Sequence, residues 1–433
     1  MPDAGAAPTQ GLERSLGLWQ VTASGVGIIV GAGIYVLVGE AVGLAGARTW
    51  IAFVLAAALS ALTGLSYAEL TSMFPKAGAE FEYARHAFPP WVAFVVGWVM
   101  IAGLVVASAA VSLGFGRYLG RFVDLSPTVG GLLLLAVVAA VAWSGIRRSV
   151  RVTVALSVVQ VGGLLYVIVI GLPHVGRVDL LDGTGGSGGV LAAAALVFFA
   201  FIGFDEVITL AEETKDPTRT VPRALLLALG ISTVLYVGVA IAAVSVIGPA
   251  AVAASDRPLA DVIAHGLGAR GADVLAALAL IATTNTTLLS ITASSRLQYG
   301  MASARAFPDA LARLGPRSRA PRVAIAVSVS VAACFVLVGD LSLIASVTDL
   351  AVYLVFVAVN VAVVVLRFRS PERARPFRVP LSIGRVPVLP VLGLVAVLVM
   401  IPALRWEAIA LGAVLCGLGV GAYAWFGRRM NAS

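Results

Sequence analysis

Five carboxylic acids lie inside or at the edge of long apolar runs: Glu40, Glu69, Asp205, Glu206 and Asp349. Acids held at membrane depth are costly, and they are kept there chiefly to bind ions or carry protons. Adjacent Asp205 and Glu206 cannot both ionise cheaply in a low-dielectric site without a cation close by, so the pair is a candidate proton carrier. A second kind of chemistry needs no side chain. Gly25, Gly27, Gly31, Gly33 and Gly39 interrupt one apolar run, and each costs about 1 kcal/mol of helix propensity relative to alanine. A helix that unwinds there frees N–H and C=O groups, which membranes tolerate only where they are buried in protein or line a wet cavity. Close helix packing through small residues is the competing use of the same glycines.

The elements that position these groups follow from composition. Of 433 residues, 60% are hydrophobic and 12% charged, with a mean hydropathy of +1.00. Apolar runs long enough to cross a bilayer recur along the whole chain, which excludes a water-soluble fold. Windows of about 20 apolar residues bounded by charge or Pro/Gly clusters predict twelve membrane-spanning helices. They fall near 17–44, 50–72, 91–119, 127–145, 151–173, 189–211, 222–247, 271–301, 322–339, 342–366, 386–403 and 407–427. The segment before Leu16 is short and polar, and the apolar run after it lacks the cleavage flank of a signal peptide, so that run is expected in the mature protein.

Charge sets the orientation. With the N-terminus inside, 22 Lys and Arg fall on the inner connections against 7 on the outer ones. That asymmetry predicts a multi-pass protein of the cytoplasmic membrane with both termini cytoplasmic. It also accounts for the net charge of +8 without a nucleic-acid partner, because the basic residues are spread over every inner connection. Cys334 and Cys416 sit in separate apolar segments, and His86, His174 and His265 have no metal-ligand spacing. No cofactor, no metal and no catalytic constellation is expected, so the chain does not read as an enzyme.

A second run breaks in the same way. "LVFFAFIGFDEVITLAEETKDP", residues 196–217, is interrupted at Gly203. Two interrupted spans five helices apart point to an inverted repeat with a binding site at the midplane between them. A half-helix that begins at a break presents free N–H groups and a positive dipole end, which suits a carboxylate. One that ends there presents free carbonyls, which suit an ammonium group or a metal cation. A zwitterionic amino acid needs one of each.

Four stretches carry a family resemblance: "GAGIYVLVGEA" at 31–41, "LSYAELTSMFPKAGAEFEYARHAF" at 65–88, "FFAFIGFDEVITLAEETKDPTRTVPRAL" at 198–225 and "SSRLQYGMASARAFPDAL" at 294–311. In order and content they resemble blocks of the amino acid permeases of the amino acid/polyamine/organocation (APC) superfamily, in particular bacterial and archaeal relatives of the cationic amino acid transporters. The resemblance implies a five-plus-five inverted repeat of the leucine-transporter type. A cytoplasmic tail at 1–16 would precede a first repeat at 17–173 and a second at 189–366, followed by two peripheral helices at 386–427 and a tail at 428–433. It places the substrate carboxylate on the N–H groups of Ala32, Gly33 and Ile34, and the ammonium on the carbonyls of Ile29, Phe199, Ala200 and Ile202. Side-chain fit would come from Phe201 and Phe204, from Gly103 and Leu104, from Asn285, and from positions near Val352 and Tyr353.

Two departures bear on substrate and coupling. Members with cationic substrates carry an acid in the third span after Gly-Trp, whereas "GWVMIAGLVV" here is wholly apolar; a buried substrate cation would lack a counter-ion. A neutral substrate is therefore expected. Proton-coupled relatives place a lysine in the fifth span where this chain has Gln160, which cannot titrate. The coupling candidates become Asp205, Glu206 and Glu40, with Gln160 at the vacated position, and Glu69 and Asp349 as further intramembrane acids. Hydroxyl and amide oxygens of "TTNTT" at 283–287 leave sodium open. The expected function is uptake of a neutral amino acid with protons, in a monomer or homodimer. Ion-independent exchange, a cationic amino acid or polyamine substrate, and a non-transporting amino acid sensor are the alternatives.

Overall fold

The architecture follows from where the apolar runs are broken. The computed structural model describes residues 16–74, 79–144, 150–182, 186–204, 207, 214–315 and 320–426. Asp205 and Glu206 lie outside these residues, as do the two expected tails but for Leu16. Nearly every element is a helix; a hairpin of β1 (Ser382–Ile383) and β2 (Val386–Pro387) is the exception among the described residues. Seven helical runs there are long and apolar enough to cross a membrane, and five shorter apolar helices accompany them. This is a polytopic membrane protein.

The first apolar run forms two helices, α1 (Leu18–Ile29) and α2 (Gly33–Ala45). Val30 leaves the helical region with ψ 67°, and the small residues Gly31 and Ala32 complete the gap. After α3 (Thr49–Met73) comes the short surface helix α4 (Ala79–Ala87), whose acids lie in its first turn and Arg85 and His86 in its last, as the macrodipole favours. Then follow α5 (Pro90–Leu119), α6 (Pro127–Ser144), α7 (Val150–Gly171) and α8 (Gly186–Val197). α8 tightens into a 3-10 turn over Phe198–Phe201 and ends in a turn through Ile202, Gly203 and Phe204. Gly203 has φ +105°, a conformation that glycine adopts without the steric cost a side chain brings. The interruption thus begins some five residues before the glycine that marks it in the sequence.

The remaining helices are α9 (Pro217–Ile247), α10 (Pro249–Ala254), α11 (Pro258–Ser303), α12 (Arg322–Val338), α13 (Leu341–Arg369), α14 (Val388–Met400) and α15 (Trp406–Phe426). α9 starts before the hydropathy window at 222, and α11 joins two helical stretches across Gly268, the second of them starting near the window at 271; each of the two helices opens on a proline. Its fixed φ suits the first helical turn, and its missing N–H would have been unpaired there anyway. α11 turns sharply at Gly268, φ +69°.

Long α5 runs through the centre and packs on α6, α11, α12 and α13; α1 lies on α9, and α2 on α8. Polar side chains join α3 to α13: Asn360 donates to Thr63 Oγ1 at 3.1 Å and accepts from Ser66 at 2.7 Å. At the end of the same pair sits a buried ion pair. Glu69 is 1% exposed and Arg367 3%. Arg367 grips the carboxylate with Nε at 3.0 Å and Nη2 at 2.6 Å, and the Val379 N–H adds a third bond at 2.7 Å. Glu69 is therefore a clasp between α3, α13 and the segment after α13, which corrects its place among the free intramembrane acids.

Candidate functional site

The two breaks touch. A methyl group added at Gly33 would lie 2.5 Å from the Ala200 Cα, so only glycine lets the start of α2 press against the 3-10 turn after α8. Beside this contact is a cavity of about 80 Å³. Since one water needs about 10–15 Å³ of such space, it accommodates several water-sized groups. The first break contributes Gly27, Ile28, Ile29, Gly31, Ala32 and Gly33, and the second Phe199, Ala200, Ile202 and Gly203. The opposite wall comes from α5 with Met100, Gly103, Leu104, Ala107 and Val111, from α11 with Asn285, Thr286, Leu289 and Ser290, and from α13 with Thr348 and Val352. No charged side chain lines it among the described residues.

Backbone hydrogen bonds decide what the site can hold. The Ala32 N–H donates to Thr286 Oγ1 at 3.3 Å, while the N–H groups of Gly33 and Ile34, at the first turn of α2, have no acceptor among the described residues. Two donors at a helix N-terminus make an anion-binding corner. On the carbonyl side the site differs from a set of free acceptors. Tyr236 of α9 places its hydroxyl 2.8 Å from the Ile29 carbonyl and 2.9 Å from that of Ala200. The Phe199 carbonyl accepts the Ile202 N–H at 3.3 Å. That of Ile202 has no donor among the described residues.

One phenolic proton faces two carbonyls, so Tyr236 bridges the breaks; the Ile29 carbonyl also accepts the Gly31 N–H at 2.7 Å, and the spare acceptor capacity lies on Ala200. Replacement of Tyr236 by phenylalanine takes the hydroxyl donor from the Ala200 carbonyl and leaves the Ile29 carbonyl with the Gly31 N–H alone, at about 1–3 kcal/mol. We expect Tyr236→Phe to weaken transport about tenfold, measured as initial uptake rate; parental rates would contradict the bridging role.

Several expected side chains point elsewhere. The Phe201 ring stacks edge-on against Tyr236 with centroids 5.2 Å apart, and Phe204 packs on Tyr67 and Phe356. Both are core residues here, because the 3-10 turn directs them away from the cavity. Tyr353 likewise faces α8, with its hydroxyl 3.1 Å from the Ala195 carbonyl, while Ile34, expected for its N–H alone, keeps a buried side chain out of the cavity wall. Ile29, Ala32, Gly33, Gly103, Leu104, Phe199, Ala200, Ile202, Asn285 and Val352 do line it.

The coupling candidates are scattered. Glu40 is paired with Arg117 at 3.1 Å, and Arg117 also approaches Asp256 at 3.7 Å; this fixed ion pair joins α2 to α5. Gln160 is 1% exposed with both side-chain amide atoms unpartnered among the described residues, while its backbone carbonyl accepts the Tyr35 hydroxyl at 2.9 Å. Tyr118 in turn donates to the Tyr35 carbonyl at 2.9 Å, so α2 is held between α5 and α7. Tyr236 escapes sequence reasoning, since its partners are more than 30 residues away, and Thr286, which TTNTT presents only as an oxygen donor for a cation, meets the first break instead.

The sequence profile of the amino acid permease family matches residues 16–414. The chain is similar to the branched-chain amino acid permease BcaP of Bacillus subtilis (strain 168), 30% identical over 98% of this chain and 96% of the relative. It is similar to the methylthioribose transporter of the same organism, 28% identical over 89% of this chain and 87% of that one. A vacuolar cationic amino acid transporter 4 of Arabidopsis thaliana is 32% identical, with 83% of this chain and 64% of the relative covered.

Proposed function

The chain belongs to the amino acid permease family, and on that premise we propose that it is a secondary active transporter carrying a neutral amino acid across the cytoplasmic membrane, coupled to protons. The observation that carries this reading is the cavity between the two breaks, uncharged among the described residues, with free N–H groups on one break and carbonyls on the other. The substrate carboxylate would take the N–H groups of Gly33 and Ile34, with Ala32 and Thr286 alongside. Its ammonium would take the Ile202 carbonyl and that of Ala200, whose remaining acceptor capacity Tyr236 leaves open, with the Ile29 carbonyl, which already accepts from Gly31 and Tyr236, alongside. The substrate side chain would lie along Met100, Gly103 and Leu104 of α5. A lysine or arginine side chain would meet no carboxylate among the described residues, which favours a neutral substrate.

Twelve spans arranged as a five-plus-five inverted repeat, with both termini cytoplasmic, give the frame for alternating access in which the broken helices move against the rest. The inner excess of Lys and Arg supports this orientation. The relative named for methylthioribose makes an uncharged polar solute the second reading, because the cavity wall offers hydroxyl and amide groups rather than charges.

The test is exchange in proteoliposomes preloaded with unlabelled solute, against a panel of radiolabelled neutral amino acids, lysine, arginine, a polyamine and methylthioribose. Exchange of one or more neutral amino acids is expected. Exchange confined to cationic solutes would overturn the neutral assignment, and binding without exchange would make the protein a sensor.

A further inference from the structure

Asp349 lies in α13, 0% exposed, and neither of its carboxyl oxygens has a hydrogen-bond partner among the described residues. Glu69 and Glu40 are paired with arginines. Successive helical residues turn by about 100°, so the neighbours of Asp349 fix where it points. Leu350 faces Gly412 of α15, Ala351 and Val352 face Gly103 of α5, and Tyr353 reaches Ala195 of α8. Thr348 and Val352 line the cavity. Asp349 therefore occupies the arc between the cavity wall and the helix that leads into the second break.

Among the described residues, its surroundings hold nothing to pair with a charge. α8 and α14, which pack on α13, carry no titratable side chain, and α5 has only Arg117 and Tyr118 at its far end. α15 brings Glu407 in its first turn, Cys416 and Tyr423; α3 brings Tyr67 and the clasped Glu69; α4 brings Glu80, Glu82, Tyr83, Arg85 and His86, near the Arg367 end. On α13 itself Tyr353 is the titratable neighbour one turn away. A carboxyl in such a place is uneconomical for packing and is retained for a task.

We propose that Asp349 is the proton-binding site that couples transport to the proton gradient, an inference that rests on the transport reading above. In one half-cycle the carboxyl O–H breaks and its proton passes to water admitted by the opened cavity, leaving a carboxylate. Tyr353, four residues on along the same face, then supplies a donor by leaving the Ala195 carbonyl, three residues before the 3-10 turn over Phe198–Phe201. Reprotonation from the opposite side returns that hydroxyl to Ala195. Proton occupancy is thereby tied to the geometry of the second break.

The experiment compares the parent and Asp349→Asn in proteoliposomes with the amino acid that exchanges best, with and without an inward proton gradient. The parent is expected to accumulate it about tenfold more with the gradient, and Asp349→Asn to lose that response while still exchanging. A parental gradient response in Asp349→Asn overturns the proposal. A parent that exchanges but ignores the gradient overturns the proton site and leaves the transport reading standing; a parent that neither exchanges nor accumulates defeats both. Infrared difference spectra on substrate addition give a readout independent of turnover. A protonated-carboxyl band that changes in the parent and is missing in Asp349→Asn is expected, and the same band in the variant overturns the assignment. Should Asp349→Asn not purify as a monodisperse protein, Asp349→Glu replaces it: a retained gradient response with a displaced pH midpoint supports the site, and an unchanged midpoint overturns it.

Discussion

Gly33→Leu abolishes amino acid binding while the protein still purifies as a folded, monodisperse species. The reason is distance: the atom that leucine adds first would sit 2.5 Å from the Ala200 Cα and 3.2 Å from the Ala200 nitrogen. Both are backbone atoms, so no rotamer change relieves the overlap, and the two breaks must separate. Their separation moves the Gly33 and Ile34 N–H groups away from the carbonyls across the cavity, and a zwitterion can no longer reach both. Even Gly33→Ala meets this overlap. Overpacking of about 1–3 kcal/mol corresponds to roughly a tenfold to hundredfold loss of affinity. Gly230→Ala on α9 is the control, because nothing lies within 4 Å of a methyl group there. Equilibrium binding of the labelled amino acid decides the matter, and parental affinity in Gly33→Ala would remove the contact between the breaks from the account.

Glu69→Ala produces the second large effect, on stability. Removing one partner of a buried pair leaves the other charge uncompensated, at about 3–5 kcal/mol. Arg367 keeps bonds to Ser382 Oγ at 2.6 Å and to the Val379 carbonyl at 3.1 Å, but neither neutralises it. The thermal unfolding midpoint in detergent should fall steeply. In the double variant Glu69→Ala/Arg367→Met the orphan charge is gone and much of the loss should return, since a buried pair is often replaceable by apolar groups. Equal midpoints in single and double variants would show that the carboxylate acts through something other than Arg367, such as Arg375 at 3.5 Å.

Much of this architecture is legible in the residues because the membrane restricts the solutions. Apolar windows locate the helices, and the glycines at 31 and 33 mark the first break within a residue or two of where the backbone leaves the helix. The second break is displaced from its glycine, since the 3-10 turn over Phe198–Phe201 rests on tertiary contacts with α2, α3 and α13 that no local pattern encodes. Charge partners are equally invisible: nothing near Glu69 in sequence announces Arg367, almost 300 residues on. Side-chain direction is the other loss. Phe201 and Phe204 flank a break and look like substrate contacts, yet a tightened turn aims both rings into the core. Tyr236 is the reverse case, one of several hydroxyls in a long apolar helix, whose role appears only when α9 is laid against α1. The acids divide in the same way, because being costly in a membrane does not distinguish a clasped Glu69 from an unpartnered Asp349.

The central claim is that backbone groups of two broken helices hold both charges of an amino acid. Its most direct test is a calorimetric titration of the purified protein with the neutral amino acid that exchanges best, its carboxamide and its deaminated acid. The account predicts that only the zwitterion binds, each analogue losing a charge-assisted contact worth about 1.5–3 kcal/mol. Equal affinity for the carboxamide would contradict it, because the Gly33 and Ile34 N–H groups would then not be holding a carboxylate.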